Sequence, residues 1–290
     1  MTLRLTELRR FPVKSCRGES LESATVESWG LTGDRRWMLV DETGEAVTVR
    51  EKRRMLLVHP SIDESIGPDG GLRVTATDLP DILDLEVPMP VGTARTPVSL
   101  FRGTPFEATL ADDEAHEWFS KVLGEPVRLV YADDPSRRPA GRSAPQGTPM
   151  AFADGYPLLV ATEESLAALN ELIAQGSKAD EGPLSMTRFR PNLVVAGAPA
   201  WAEDGWRRLR VGEATFLAVK GCARCAIPTT DEVTAVRYKE PTYTLARHRR
   251  WDGAVWFAMN LVPETPGATL HVGDEVEILE AVDASDGPPR

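Results

Sequence analysis

Two thiols separated by two residues, Cys222 and Cys225, are the side chains best equipped for chemistry in this chain. They close the run Leu217-Ala-Val-Lys-Gly-Cys222-Ala-Arg-Cys225, which reads as an apolar strand giving way at Gly221 to a loop. Ala-Ile-Pro-Thr-Thr-Asp231 follows. Only a thiolate acts as nucleophile or metal ligand, and a neighbouring Lys or Arg lowers a thiol's pKa. Lys220 and Arg224 are placed to do that.

Four readings of the pair compete. A structural zinc site takes two such pairs, or one pair plus two suitably spaced histidines. Cys16 is the only other cysteine, and His59, His116, His248 and His271 are scattered, so zinc is weakly supported. A thioredoxin-like redox pair belongs beside a βαβ pattern, and Ala226-Ile-Pro-Thr-Thr is a poor helix start. Two small buried thiols without a task are the plain alternative. The last reading is a single thiolate ligand to a soft metal centre, which the rest of the chain has to support.

Positive charge is the second chemical signal. Lys14, Arg50, Arg188, Arg190 and Arg224 each stand at the edge of a predicted strand beside turn residues. Converging there, they would form a pocket for a phosphorylated ligand. For any one of them alone, a solvated surface residue is the better reading. No glycine-rich dinucleotide fingerprint and no P-loop occurs.

The elements that must position these groups are mostly strands. The 290 residues can hold one large domain or two ordinary ones. A formal charge of −11 argues against nucleic acid or an anionic membrane as partner and favours a basic one. Three cysteines, an odd and sparse count, point to a reducing compartment. The N-terminus lacks the apolar core of a signal peptide, and no run approaches a membrane span. A cytoplasmic location with no membrane partner is therefore expected.

Strand-forming runs are expected at 3–13, 72–77, 82–87, 97–110 and 127–131, separated by Gly and Pro clusters. Trp37-Met-Leu-Val40 and Ala46-Val-Thr-Val-Arg50 flank Asp41-Glu-Thr-Gly44 as a hairpin. A helix should begin after Asp112, with Ala115, Trp118, Phe119, Val122 and Leu123 on one face, and close at Gly124. Thr162 should cap a second helix, with Glu163 and Glu164 in its first turn and Gly176 at its end. Residues 237–250 read as basic and irregular, and a closing strand pair is expected around Gly273. The stretch 132–149, with four prolines, two glycines, Arg137, Arg138 and Arg142, is either a loop carrying positive charge to a site or a solvated linker.

Five motifs in register resemble the MOSC proteins, in particular the mitochondrial amidoxime-reducing component and its bacterial relatives. They are Phe11-Pro-Val-Lys-Ser15, Asp34-Arg-Arg-Trp-Met-Leu-Val40, Thr48-Val-Arg50, Phe189-Arg-Pro-Asn192, and Cys222-Ala-Arg-Cys225 followed by Thr229-Thr-Asp231. The resemblance runs through nearly the whole chain. It implies a mixed, β-rich (α+β) fold: an N-terminal β-barrel-like region over 1–131, then a MOSC β-barrel domain with a few helices over 132–290.

It also implies a molybdenum cofactor in its molybdopterin form, with Cys225 as the one protein ligand to the metal and Cys222 as a neighbour. Lys14, Arg50, Arg190 and Asn192 would hold the pterin and its phosphate, with Ser15, Thr48, Arg188 and Arg224 close by. The implied activity is reduction of N-hydroxylated compounds (amidoximes, hydroxylamines, N-hydroxylated bases) to amines or amidines by oxygen-atom removal. No spare cysteines remain for a ferredoxin domain, so electrons are expected from a separate flavin reductase, ferredoxin or cytochrome-type protein. Phe257-Ala-Met-Asn260 departs from the Phe-Gly-Gln-Tyr-like stretch of the animal proteins, whose membrane anchor is not expected here. The alternatives are a sulfur or cofactor carrier with Cys225 as persulfide, and a module that stores pterin without catalysis.

Overall fold

Strand Leu3–Arg10 is a stave of a barrel whose other staves come from the second half of the chain. A computed structural model describes residues 2–92 and 94–290. In barrel order, Leu3–Arg10 is followed by Glu275–Ala281, Trp206–Val211, Ala214–Ala223, Ala254–Pro263, Leu158–Thr162 and Leu193–Ala196, which returns to the first. Seven strands thus close with no free edge. Only the pair Leu158–Thr162 and Leu193–Ala196 is parallel, and it is linked by the helix Glu163–Ala174. Apolar residues two apart (Leu158 and Val160, Leu209 and Val211, Phe216 and Ala218, Met259 and Leu261) point inward and fill the barrel.

The N-terminal region builds two small antiparallel sheets around its own core. One runs Trp37–Val40, Arg128–Tyr131, Phe106–Leu110, Arg95–Val98; the other runs Val58–Asp63, Gly71–Ala76, Leu85–Pro88. Helix Asp113–Leu123 buries Ala115, Phe119 and Val122 against Trp37, Leu39, Val74 and Leu129. Its ends are as expected: Asp112 accepts from the Ala115 N–H, and Gly124 sits at φ 73°, a left-handed cap that suits glycine. Thr162 likewise caps its helix by accepting from Ser165 N.

Four expectations are corrected. The run 97–110 is two strands, broken where Phe101 and Arg102 take positive φ. Residues 237–250 are not irregular throughout, because Thr242–His248 is helical. The strands flanking Gly273 do not pair with each other. Thr269–His271 joins Ser23–Glu27, and Glu275–Ala281 enters the barrel. The second arm of the expected hairpin is only a bridge at Ala46, after which the chain turns at Thr48–Arg50. Strand propensities are local, and tertiary pairing decided where the strands flanking Gly273 went. Burial of Leu245 accompanies the helix Thr242–His248.

Candidate functional site

A cavity of about 360 Å³ opens where the N-terminal region meets the rim of the barrel. Lys14 and Ser15 reach it from the segment after the first strand, and Arg50 from the turn after Thr48. Arg190 and Asn192 come from the mouth of strand Leu193–Ala196, and the two thiols from the end of Ala214–Ala223. Gly221 on that last strand must lack a side chain. A Cβ there would stand 2.6 Å from Pro288, whose tail segment crosses the strand and accepts from Gly221 N at Pro289 O.

Asp154 organises the cations. Its carboxylate pairs with Lys14 Nζ through Oδ1 and with Arg50 Nη2 at 2.9 Å through Oδ2. Desolvation opposes the Asp154 charge, yet Lys14 and Arg50 outweigh it and hold the carboxyl well below the usual range. Burial drives Lys14 the other way, down to about 8, although Asp154 partly restores it. Lys14 Nζ also donates to Phe152 O at 2.9 Å. Burial works against Arg50 as well, but Asp154 and then the Cys225 sulfur raise its pKa, so Arg50 links the acid to the thiol electrostatically.

A second cationic pair clasps Phe11. The guanidinium carbons of Arg35 and Arg190 lie 4.3 and 4.2 Å from its ring centroid. Arg35 donates to Asp34 Oδ2 at 2.6 Å and to Asn192 Oδ1 at 2.8 Å, and Arg190 donates to Cys16 O at 2.8 Å. Burial and the neighbouring Arg35 charge lower Arg190 to about 10. Cys225 is half-buried on the cavity wall. Cys222 is half-buried too, and Arg224 Nη1 donates to its sulfur at 2.9 Å. Burial raises the Cys222 thiol, with Arg224 as a partial counterweight. Among the described residues, no three His, Cys, Asp or Glu side chains converge, so the thiols lack the partners a zinc tetrad needs.

Comparison with known proteins gives two family matches. Residues 2–126 match the MOSC N-terminal beta barrel domain, and residues 147–277 match the MOSC domain. The human mitochondrial amidoxime-reducing component 1 is 31% identical over 95% of this chain and 82% of its own length. The chain belongs to the MOSC family. The rice molybdenum cofactor sulfurase is also 31% identical, over 92% of this chain. The chain spans only about a third of the sulfurases it matches, 34% of the rice protein and 35% of the tomato one.

The MOSC site residues expected from the sequence do not all stand alike. Lys14, Ser15, Arg50, Arg190, Asn192, Arg224 and Cys225 all line the cavity. Asn192 is fully buried and uses its side chain internally. Its Oδ1 accepts from Arg35 and from Leu159 N, and its Nδ2 donates to Arg9 O. Thr48 is buried behind the wall, where its hydroxyl accepts from Arg50 N and donates to Glu51, fixing the turn that presents Arg50. Arg188 is not on this wall. It pairs with Asp231 at 2.7 Å and lines a neighbouring, smaller cavity. Two residues escaped the sequence reading: Asp154 and Arg35. Arg35 lies inside a recognised motif, so its signal was present. Arg138 belongs to the 132–149 stretch and donates to Ala151 O, Ala153 O and Asp154 O, which places that stretch's charge beside Lys14. Nothing local distinguishes Asp154. Asn260 lines the cavity as well, its amide donating to Lys220 O and Gly221 O.

Proposed function

We propose that this chain is a cytoplasmic, molybdenum-cofactor-dependent reductase of N-hydroxylated compounds, supplied with electrons by a separate protein. One observation carries the reading: the half-buried Cys225 thiol faces a cavity ringed by Lys14, Arg35, Arg50 and Arg190. The donor set fits a phosphorylated pterin with a thiolate-bound metal. Arg50 Nη1 and Arg224 Nε are buried donors with no hydrogen-bond partner, so the wall has capacity left for a ligand's acceptors. A thiolate suits a soft, redox-active centre.

In this reading Cys225 Sγ holds the metal, while Lys14, Arg50 and Arg190 hold the anionic pterin. When bound, the molybdenum cofactor supplies two-electron oxygen-atom chemistry, which no side chain here can supply. The protein's share is placement and charge. Asp154 fixes Lys14 and Arg50 against each other, and Phe11 fixes Arg35 and Arg190. The coverage of relatives favours a reductase, since the chain spans 82% of the human amidoxime-reducing component and 34% of the rice sulfurase.

Protein produced in a cofactor-competent host provides the test. About one molybdenum per chain with benzamidoxime reduction supports the reading, and both should collapse in Cys225→Ala. The sulfurase relatives favour one other reading, Cys225 as a persulfide carrier, which predicts cyanide-labile sulfur without metal. Pterin bound without turnover would make the chain a storage module.

A further inference from the structure

The cavity that takes Arg188 away from the main site has a character of its own. It measures about 150 Å³, shares Arg190 and Ile227 with the larger cavity, and is lined by Arg9, Arg17, Arg188, Thr230 and Glu232. Sites for drug-sized ligands run to ~300–1,000 Å³, so this one admits only a small group.

Its wall holds polar atoms without partners. Arg188 and Thr230 are more than nine-tenths buried, yet Arg188 Nη1 and Thr230 Oγ1 have no hydrogen-bond partner. Such groups are almost always satisfied in folded proteins, and leaving them unmatched is costly. An acceptor is open as well. Glu232 Oε2 is buried and accepts no hydrogen bond, although it is ion-paired with Arg188 Nε at 3.6 Å, while Oε1 takes Ser185 Oγ at 2.6 Å and the Thr187 hydroxyl. Arg17 leans over the same space, its Nη1 3.3 Å from Glu232 O and 3.4 Å from His59 Nε2.

Four arginines line this space beside the single lining carboxylate of Glu232. Arg9 is paired with Glu7 and Arg188 with Asp231, so the remaining positive charge of Arg17 and Arg190 and the spare Arg188 Nη1 donor call for an anion. The open Glu232 oxygen adds a second demand, since the anion must also donate a hydrogen bond. We propose that this cavity binds a small protonated oxyanion of the phosphate class. Its oxygens accept from Arg188 Nη1 and Thr230 Oγ1, and its P–OH donates to Glu232 Oε2. Sulfate matches it in size and shape but carries no hydrogen at neutral pH, and it meets the Glu232 carboxylate as a like charge. The pocket therefore discriminates between the two anions. Nothing in this proposal requires the reductase reading. The same chemistry has two sources, free phosphate or the phosphate end of a pterin reaching past Arg190.

Calorimetric titration of the full cofactor-free chain with inorganic phosphate and with sulfate, at equal ionic strength, tests it. Phosphate should bind saturably and about tenfold or more tighter than sulfate, the scale of one charge-assisted hydrogen bond. Glu232→Gln, which offers a donor in place of the acceptor, should erase that preference, and Arg17→Gln should weaken phosphate about tenfold. Both variants should keep the parent circular dichroism spectrum. Repeating the phosphate titration on cofactor-loaded protein separates the sources: retained binding means free phosphate, lost binding means the cofactor's own phosphate occupies the pocket. No saturable binding, equal binding of phosphate and sulfate, or unchanged affinity in Arg17→Gln would overturn the assignment.

Discussion

Arg224 Nη1 lies 2.9 Å from Cys222 Sγ, so the guanidinium between the two thiols serves the first of them. Its Nη2 donates to Phe189 O at 2.9 Å, which ties the loop to the Arg190 corner of the site. Burial keeps the Cys222 thiol protonated, since Arg224 offsets that effect only in part. Both sulfurs line the cavity, but their cationic neighbours differ: Arg224 donates to Cys222, and Arg50 interacts with Cys225.

On the proposed reading, with Cys225 as the ligand, Cys222→Ser should retain molybdenum. The expected loss is smaller than the about 10- to 100-fold cost of removing a group that orients a metal ligand. Metal analysis of the purified variant beside Cys225→Ala checks this. Equal losses in the two variants would put the ligand role of Cys225 in doubt.

Asp154 carries a pH signature. Its folded pKa is depressed, so its contribution to stability is complete above the unfolded carboxylate value of ~3.9 and drains as pH falls toward the folded value. Asp154→Asn should melt below the parent at pH 7, and the gap should close on acidification below about pH 4. Thermal unfolding followed from pH 7 to pH 3 measures it, and a gap that stays constant would deny the coupling to Lys14 and Arg50.

Glu203 should behave in the opposite sense. Burial lifts its carboxyl to about 7, although Ser165 Oγ and Thr162 Oγ1 donate to Oε2 at 2.8 and 3.1 Å. The folded chain then holds a proton that the unfolded chain releases above ~4.3, so stability falls as pH rises through this window and levels off above about 7. Glu203→Gln mimics the protonated acid and should flatten that slope, which is worth about 4 kcal/mol over the whole window. Denaturant unfolding at several pH values between 5 and 8 would show it, and an unaltered slope would mean that Glu203 is already ionised.

Much of the secondary structure was legible because it is local. The caps at Asp112 and Thr162 rest on side chains that accept from an N–H three residues on, and the cap at Gly124 on a left-handed backbone whose N–H donates to Ser120 O. The failures were non-local. Thr269–His271 and Glu275–Ala281 read as a hairpin around Gly273, but each found a stronger partner elsewhere, one in Ser23–Glu27 and the other in the barrel. Thr242–His248 was hidden by its run of basic residues, which says nothing about Leu245 being fully buried.

The candidate site divides along the same line. The sequence alone determined the inventory: a thiol pair beside Arg224, cations at strand edges, and five motifs that name the family. Residue type and short spacing are properties of neighbours along the chain, so they are visible without a fold. Only the tertiary structure decided which of these groups share a cavity. Closure of the barrel carries Leu3–Arg10 in beside Leu193–Ala196, and so brings Lys14 and Arg190 to one wall. The same packing turned Arg188 toward Asp231 and placed Asp154, unremarkable in the sequence, between Lys14 and Arg50. Electrostatic coupling acts through space over a few ångströms, and the distance between two charges along a chain does not reveal it.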